Sequence, residues 1–439
     1  MRNQASNSPA DSVFMRELKR VLNSLSTPAS ALSLVSIAAD FFRATHSSVT
    51  PPTAMAELSF LAEKILQLTE GQNNAETLTR SARLLGILQL TVPKSKRRWR
   101  EVQFGYKALY RAALSLRLLQ HMLTQQLLND PWIEQHYAQR DAKDPQCPFR
   151  LNVQLPLVMA VLLLDVGMLH PKALAVLAGN NGTLDPQRAL QSEERHQLLQ
   201  LSTTARQHFF SLALAVVRFR SNNKQEQQLD MAQQQQRLDF TERLLAAAGD
   251  PNSAVGSLLK VPQVYSSIVL PGRQRFAYEA LPKATLLLKD AVKRGELNAL
   301  YTGHLLKITG VFPQGFGVAF IPAQTDLSVQ EKYELAIVNQ LYPAKAEEPL
   351  CRVVSRNLQY RRGGHNSCIS VANNLYFKPA RDRLAIMPPQ RLQEILAGLS
   401  ADFEPGQLRR FIPRCWHPEQ FFSQSEHQNL WNNAPQRQN

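Results

Sequence analysis

The chain has 439 residues, a length that predicts two or three compact units, each large enough to bury its own core. Its formal net charge of +15 predicts a surface that attracts an anionic partner, whether nucleic acid, acidic protein, anionic lipid or phosphorylated nucleotide. A chain of this length does not need disulfides, and its cysteines are far apart and lack metal-ligand spacing, which fits a reducing compartment. They are Cys147, Cys351, Cys368 and Cys415.

Residues 1–92 form the first predicted unit, which is helical. Apolar residues recur there at intervals of three and four, as in Val13, Leu18 and Leu22. Thr-Pro at 27–28, Pro-Pro at 51–52 and Gly-Gln-Asn-Asn at 71–74 divide the run into about four helices. The polar first 20 residues lack the apolar stretch of a signal peptide, and a cytoplasmic location is therefore expected.

Residues 93–310 form the second predicted unit, a larger helical domain. Its helices are expected at the ranges 100–128, 151–169, 191–219, 240–248, 281–293 and 297–309. Residues 129–149 are expected to form a loop or an insertion, and the Gln-rich residues 221–237 an exposed helix or a mobile connection. The apolar stretch 155–169 is too short to span a bilayer and contains Asp165, so it predicts a buried helix and no membrane span.

The sequence pattern changes at residue 311, where short runs of β-prone residues alternate with Pro, Gly and Asn. Strands are expected within the ranges 315–321, 333–338, 350–354 and 369–371. Residues 311–400 are thus a predicted β-rich subdomain that ends in a helix at 390–399. Residues 401–439 form a partly disordered tail, disordered beyond Phe422. The expected fold class is mainly α with a small β-rich C-terminal subdomain.

The segment at 160–171, Ala-Val-Leu-Leu-Leu-Asp-Val-Gly-Met-Leu-His-Pro, resembles the HD motif helix of the HD-GYP cyclic di-GMP phosphodiesterases. In that family a His-Asp pair is followed by an aliphatic residue, Gly and Lys. Asp165, Val166 and Gly167 match this pattern, whereas Leu164 stands in place of the histidine and Met168 in place of the lysine. The resemblance implies an HD-domain-like helical bundle.

Three further segments carry the resemblance, which covers residues 100–375. Gly182-Thr-Leu with Arg188 falls where the family has a Gly, a Leu and an acidic residue that lead to a ligand histidine, and Arg195 aligns with that histidine. Val-Tyr-Ser-Ser-Ile at 264–268, followed by Arg273 and Tyr278, resembles a family segment that contains carboxylates. In this chain Gln263 and Ser266 occupy or flank the positions where those carboxylates are expected. Gly-Val-Phe-Pro-Gln-Gly at 310–315 resembles the family's turn into its β-strands, which reports fold.

The resemblance implies hydrolysis with two or three metal ions, iron or manganese, held by histidines and carboxylates. Such ions acidify a bound water and neutralise charge on the phosphate oxygens. Between residues 172 and 307 the chain offers only His196, His208 and His304, and the range 220–250, where two signatures are expected, has no histidine. Asp165 remains as the one remnant ligand. The sequence therefore predicts a degenerate enzyme with no cofactor, no metal site and no catalytic residues.

Asp165, His170, two arginines and a Cys-Trp-His segment are the remaining candidates for a structural or a functional role. Asp165 is expected to be a buried polar group satisfied by backbone or an arginine, and His170 a helix-end residue. Arg361 and Arg362, beside a predicted hairpin turn at Gly363-Gly364, are a candidate anion or nucleotide contact, since an arginine fork suits phosphate oxygens. Cys-Trp-His at 415–417 is expected in a surface loop and carries no nucleophile motif.

The predicted function is a catalytically inactive HD-GYP-like signalling or scaffolding protein that binds cyclic di-GMP or a signalling partner. One alternative is an active metal-dependent phosphohydrolase with a rearranged site. A second is a nucleic-acid-binding protein that binds through the densest basic cluster of the chain. If that cluster has no function, we expect its side chains to be ordinary solvated surface. That cluster, called the basic run below, consists of Lys94, Lys96, Arg97, Arg98 and Arg100.

Overall fold

The computed structural model describes residues 12–26, 33–44, 51–214, 223–272, 276–322, 333–385, 390, 412–432 and 436–437. Within these ranges helices dominate, and a small sheet lies in the C-terminal region. The predicted fold class, mainly α with a small β-rich subdomain, is confirmed.

Four helices form the N-terminal part, in agreement with the apolar periodicity. Asparagine and serine side chains begin two of them: Ser33 Oγ accepts a hydrogen bond from Ser36 N (3.1 Å), and Asn73 Oδ1 accepts one from Glu76 N (2.9 Å). The predicted breaks at 51–52 and 71–74 coincide with helix boundaries, whereas the break at 27–28 lies outside the described residues. The four helices are α1 (Val13–Ser26), α2 (Leu34–Arg43), α3 (Pro51–Thr69) and α4 (Asn74–Thr91).

The central part consists of ten further helices within the described ranges: α5 (Trp99–Glu101), α6 (Lys107–Thr124), α7 (Pro131–Tyr137), α8 (Leu155–Leu163), α9 (Pro171–Ala178), α10 (Ser192–Ala213), α11 (Lys224–Ala247), α12 (Ala254–Val269), α13 (Ala284–Lys293) and α14 (Ala299–Thr309). A π-helical turn, Val102–Tyr106, joins α5 to α6, so the helical path is almost continuous from residue 99 to 124. A second such turn, Arg150–Gln154, precedes α8.

The central part differs from the prediction at three places. The range 129–149, predicted as a loop or an insertion, contains α7, whose first turn is capped by Asp130 Oδ1, 3.1 Å from Ile133 N, with Pro131 at the first helical position. Helix α12, with Pro262 in its interior, occupies a range where no helix was expected. The predicted helix at 151–169 is interrupted, because α8 ends at Leu163 and a 3₁₀ turn, Val166–Leu169, begins after Asp165.

Helices α6 and α8 lie at the centre of the helical part. Helix α6 packs against α4, α8, α12 and α14, and α8 packs against α3, α6 and α11. Every residue of α8 is buried, as its uniformly apolar sequence predicts. The buried apolar residues form one cluster from Met15 to Trp431, which crosses the predicted domain boundaries. Those boundaries, at residues 92, 310 and 400, stay predictions.

One helical segment of the described residues, Arg150–Leu169, is long and apolar enough to cross a membrane by length and composition. Most of it is buried: 78% of its most apolar window lies inside the protein. A core helix of a folded protein is buried in the same way, so this segment is no clear membrane span.

The C-terminal sheet has four antiparallel strands in sequence order, with Val318 opposite Ala336 in the first pair and Ala336 opposite Val353 in the second. The strands are β1 (Gly317–Phe320), β2 (Glu334–Val338), β3 (Leu350–Arg356) and β4 (Gln359–Cys368), with β5 (Gln436–Arg437) parallel to β4. The predicted strand at 369–371 is wrong, since β4 ends at Cys368 and turns follow it.

The turn between β3 and β4 lies at Asn357 and Leu358, with φ values of 51° and 60°, which is typical of a tight two-residue hairpin. The prediction of a turn at Gly363-Gly364 is therefore wrong. Both glycines lie inside β4, where the pairing with β3 shifts register after Val353. A Cβ on Gly364 would lie 2.0 Å from Val353 O, so the glycine permits this close approach.

The C-terminal residues are more ordered than their composition predicts. Among the described residues of this region, α15 (Lys378–Ala385) and α16 (Glu419–Phe422) precede a buried pair, Leu430 and Trp431. The Trp431 ring packs so closely on α4 that a Cβ on Gly86 would lie 2.3 Å from it. Predicted disorder beyond Phe422 is wrong for residues 423–432. The predicted helix at 390–399 lies, apart from Gln390, outside the described residues.

Candidate functional site

Asp165 lies in the break between α8 and the 3₁₀ turn that follows it. The turn is held close to α10, because a Cβ on Gly167 would lie 1.8 Å from Ser202 O. Only glycine permits this approach. The side chain of Arg206 on α10 also donates to Leu164 O, at 3.2 Å. These contacts fix the position of Asp165 at the junction of α8 and α10.

The carboxylate of Asp165 accepts hydrogen bonds from three different elements. Arg111 Nη1 on α6 and Gln103 Nε2 in the preceding π-helical turn both donate to Oδ2, the latter at 2.7 Å. Gln263 Nε2 on α12 donates to Oδ1 at 3.2 Å. Arg111 Nε also donates to Ser266 Oγ at 3.0 Å. The prediction that an arginine satisfies Asp165 is confirmed, and we call these five residues the Asp165 cluster.

The charges around Asp165 are mostly positive. Burial acts to raise the pKa of Asp165, but the charge and hydrogen bond of Arg111, with Gln103 and Lys107, outweigh burial and hold the pKa below its usual range. Burial lowers the pKa of Arg206 and of Lys260, and the charge of Asp165 partly offsets this in both. Four cationic side chains thus surround one ionised carboxylate.

This arrangement does not fit a dinuclear metal centre. Iron and manganese need several histidine or carboxylate ligands, and nearby cations repel a metal ion. In the described part of the chain no three His, Cys, Asp or Glu side chains lie together in a way that could hold a metal ion. The lone pairs of Asp165 that a metal would use already accept hydrogen bonds from Arg111, Gln103 and Gln263.

The histidines near the HD-like segment lie elsewhere. His170 is the N-cap of α9, where its Nδ1 accepts a hydrogen bond from Lys172 N at 3.2 Å, as the helix-end interpretation predicts. His208 packs against Phe41, with ring centroids 5.5 Å apart, and His196 is exposed on α10. Sequence reasoning had no signal for Arg111 and Gln103, the partners that Asp165 has instead.

His304 forms a pair that the sequence did not reveal. Its Nδ1 lies 2.8 Å from His121 Nε2, and the other nitrogen of His121 lies 3.3 Å from the hydroxyl of Tyr342. The three side chains join α6, α14 and the segment between β2 and β3. Burial lowers the pKa of both histidines, and His304 and Lys307 lower that of His121 further.

Arg361 and Arg362, the predicted anion contact, lie on β4 and are exposed. Arg362 Nη2 forms an ion pair with Glu426. Arg361 borders a narrow cleft of about 10 Å³ beside Gly363 and His427, too small for a nucleotide. Arg362 therefore already has a carboxylate partner in Glu426. That Arg361 and Arg362 bind an anion or a nucleotide stays a prediction.

Part of the basic run borders an open cavity of about 930 Å³. Its residues Lys96, Arg97 and Arg100 form one wall, whereas the opposite wall is the loop after α9, which includes Asp185. The prediction that the basic run is solvated surface fits Arg98, whose exposed side chain pairs with Glu101 at 2.5 Å. The sequence did not predict the cavity, because no sequence signal links the run to a loop about 90 residues further along.

Cys415 and His417 do not form a nucleophilic pair. Cys415 is buried, contrary to the predicted surface loop, and burial together with Glu279 and Glu419 raises the pKa of its thiol to about 12. A thiol with so high a pKa is not ionised at neutral pH. All four cysteines are free thiols.

Comparison with known proteins gives no relatives for this arrangement. No family model matches the chain, no curated protein matches it, and no solved structure matches it. The resemblance to the HD-GYP family therefore stays a prediction.

Proposed function

We propose that the protein is a catalytically inactive HD-GYP-like protein that acts in signalling or as a scaffold and binds cyclic di-GMP or a signalling partner in the cytoplasm. The observation that carries the proposal is the ion pair of Asp165 with Arg111. Asp165 is the remnant ligand of the HD-like segment, and a guanidinium holds it where a hydrolase would need a metal ion.

The other members of the Asp165 cluster support the same proposal. Gln263 and Ser266 occupy or flank the positions where the resemblance implies carboxylates. Gln263 reaches Asp165 through its own hydrogen bond, and Ser266 through Arg111. An amide and a hydroxyl keep the polar contacts of such a site but supply no negative charge. The cluster therefore stabilises the junction of α6, α8 and α12 without the charge that a metal ion needs.

Hydrolysis of cyclic di-GMP, measured by separating substrate from products after incubation with Mn²⁺ or Fe²⁺, tests the proposal. We expect the wild-type protein to be no more active than the Asp165→Asn variant, which keeps the shape of the side chain but removes its charge. Metal-dependent hydrolysis that the variant loses would contradict the proposal and favour the alternative of an active phosphohydrolase.

A further inference from the structure

The open cavity beside the basic run has the dimensions of a ligand site. It lies between the end of α2, the basic run, α9 and the loop at 179–186. Its volume of about 930 Å³ falls in the range of about 300–1,000 Å³ that small-molecule sites occupy. It is separate from the Asp165 cluster, none of whose residues border it.

The cavity carries an excess of positive charge. Lys96 Nζ pairs across it with Asp185 Oδ2 at 2.7 Å, and Arg43 pairs with Asp40 at 2.8 Å. Arg97 and Arg100 also border it, and in the parts of the chain that the structure describes neither has a carboxylate partner. Two guanidinium groups are therefore left to bind an anion, and their planar forks suit phosphate oxygens.

Part of the cavity wall is apolar and aromatic. Trp99 lies beside the cations, with the guanidinium of Arg100 5.6 Å from the centre of its ring. Leu169 and Leu174 line the cavity, and Leu184, 45% exposed, lies on the opposite loop. An inorganic ion gains nothing from such a surface, whereas a flat heteroaromatic ring buries its faces there.

The loop at 179–186 forms one wall of the cavity. Gly179 and Gly182 adopt φ values of 78° and 67°, and a Cβ on Gly182 would meet nothing within 4 Å. The loop is closed at its base, where Leu184 N donates to Ala178 O at 2.8 Å. The side chains of Asn180 and Thr183 border the same space and supply an amide and a hydroxyl for a sugar or a base edge.

We propose that this cavity binds a phosphorylated nucleotide, with Arg97 and Arg100 on the phosphates and the base between Trp99 and Leu184. The inference rests on the receptor role proposed above and gives it a location. The Lys96–Asp185 ion pair joins the basic run to the loop at 179–186, an arrangement that suits a small molecule, whereas a nucleic-acid strand needs a groove that continues beyond these two segments.

Fluorescence titration of the full-length protein with a fluorescently labelled ADP and with cyclic di-GMP, each competed with pyrophosphate, tests this site. We expect saturable binding of at least one nucleotide, weakened about tenfold or more by the double change Arg97→Glu/Arg100→Glu, since each charged hydrogen bond is worth about one power of ten or more. Pyrophosphate alone should compete weakly. The double change Lys283→Glu/Lys289→Glu, at exposed positions that do not border the cavity, alters net charge equally and should leave binding unchanged.

A variant without a charge change guards against a general electrostatic effect. Thr183→Trp fills the cavity from an exposed loop position and should also abolish binding, with an unchanged melting temperature. The inference is overturned if neither nucleotide binds, or if the Lys283/Lys289 control weakens binding as much as the Arg97/Arg100 change. It is also overturned if binding is lost only on Arg361→Glu/Arg362→Glu, the other candidate anion contact, or if a single-stranded oligonucleotide binds more tightly than either nucleotide. Hydrolysis of cyclic di-GMP would contradict the proposed function but not nucleotide binding at this cavity.

Discussion

Arg111 and Asp165 form an ion pair in which both side chains are almost fully removed from solvent, with exposed fractions of 2% and 11%. We predict that Asp165→Asn lowers the free energy of unfolding at pH 7 by about 3–5 kcal/mol, because the variant leaves Arg111 buried without a counter-charge. Urea unfolding followed by circular dichroism measures the change.

A surface ion pair supplies the control for this prediction. Lys378 and Asp382 on α15 lie 2.6 Å apart and are well exposed, so Asp382→Asn should cost about 0–1 kcal/mol. Equal losses in the two variants would show that Arg111 finds water or another acceptor when Asp165 is neutral.

The stability that Asp165 contributes should depend on pH in one direction. Its pKa is lowered in the folded state by Arg111 and Gln103 against the effect of burial, so its contribution is complete above the unfolded pKa of about 3.9 and is lost as pH falls through the lower folded value. We expect the difference in unfolding free energy between wild type and Asp165→Asn to be constant from pH 7 to 5 and to shrink below pH 4. A difference that grows on acidification would contradict the assignment.

His121 and His304 should produce a separate acid effect at higher pH. Burial lowers the pKa of both, so the unfolded chain takes up protons before the folded protein does, and stability falls as pH drops below about 6.5. We predict a shallower decline between pH 6.5 and 5 in His304→Asn than in wild type. His196→Asn, on an exposed position of α10, should retain the wild-type decline.

Gly167 should tolerate no side chain. Gly167→Ala places a Cβ 1.8 Å from Ser202 O, and overpacking of this kind costs about 1–3 kcal/mol or more. Gly303→Ala is the control: a Cβ there meets nothing within 4 Å, and alanine inside α14 should stabilise the protein by about 0.5–1 kcal/mol. Thermal unfolding of both variants checks this prediction, which fails if Gly167→Ala unfolds at the wild-type temperature.

The helices were predictable because their signals are local. Apolar residues at intervals of three and four place α1, α3 and α6, and Pro51 and Gly71 mark the two ends of α3. Helix α12 was missed because Pro262 lies within it, although the three-dimensional packing of α12 against α6 outweighs that local cost. The C-terminal tail was missed for a similar reason, since Trp431 gains its partner, Gly86, only in the folded protein.

For the candidate sites, the sequence predicted some of the residues but not their partners. The sequence singled out Asp165 and the basic run, but their partners are distant in the chain: Arg111 lies 54 residues before Asp165, and Asp185 lies 89 residues after Lys96. Which arginine meets which carboxylate depends on helix packing, and the spacing of residues along the chain does not determine it. The same limit applies to His121 and His304, which are 183 residues apart.

The metal content of the purified protein is the most direct test of the central claim, that Arg111 holds Asp165 in place of a metal ion. The protein would be produced in medium supplemented with iron and manganese and analysed by mass spectrometry for metals, with Arg111→Met in parallel. We predict far less than one metal ion per chain in both proteins. Iron or manganese near one ion or more per wild-type chain would contradict the account.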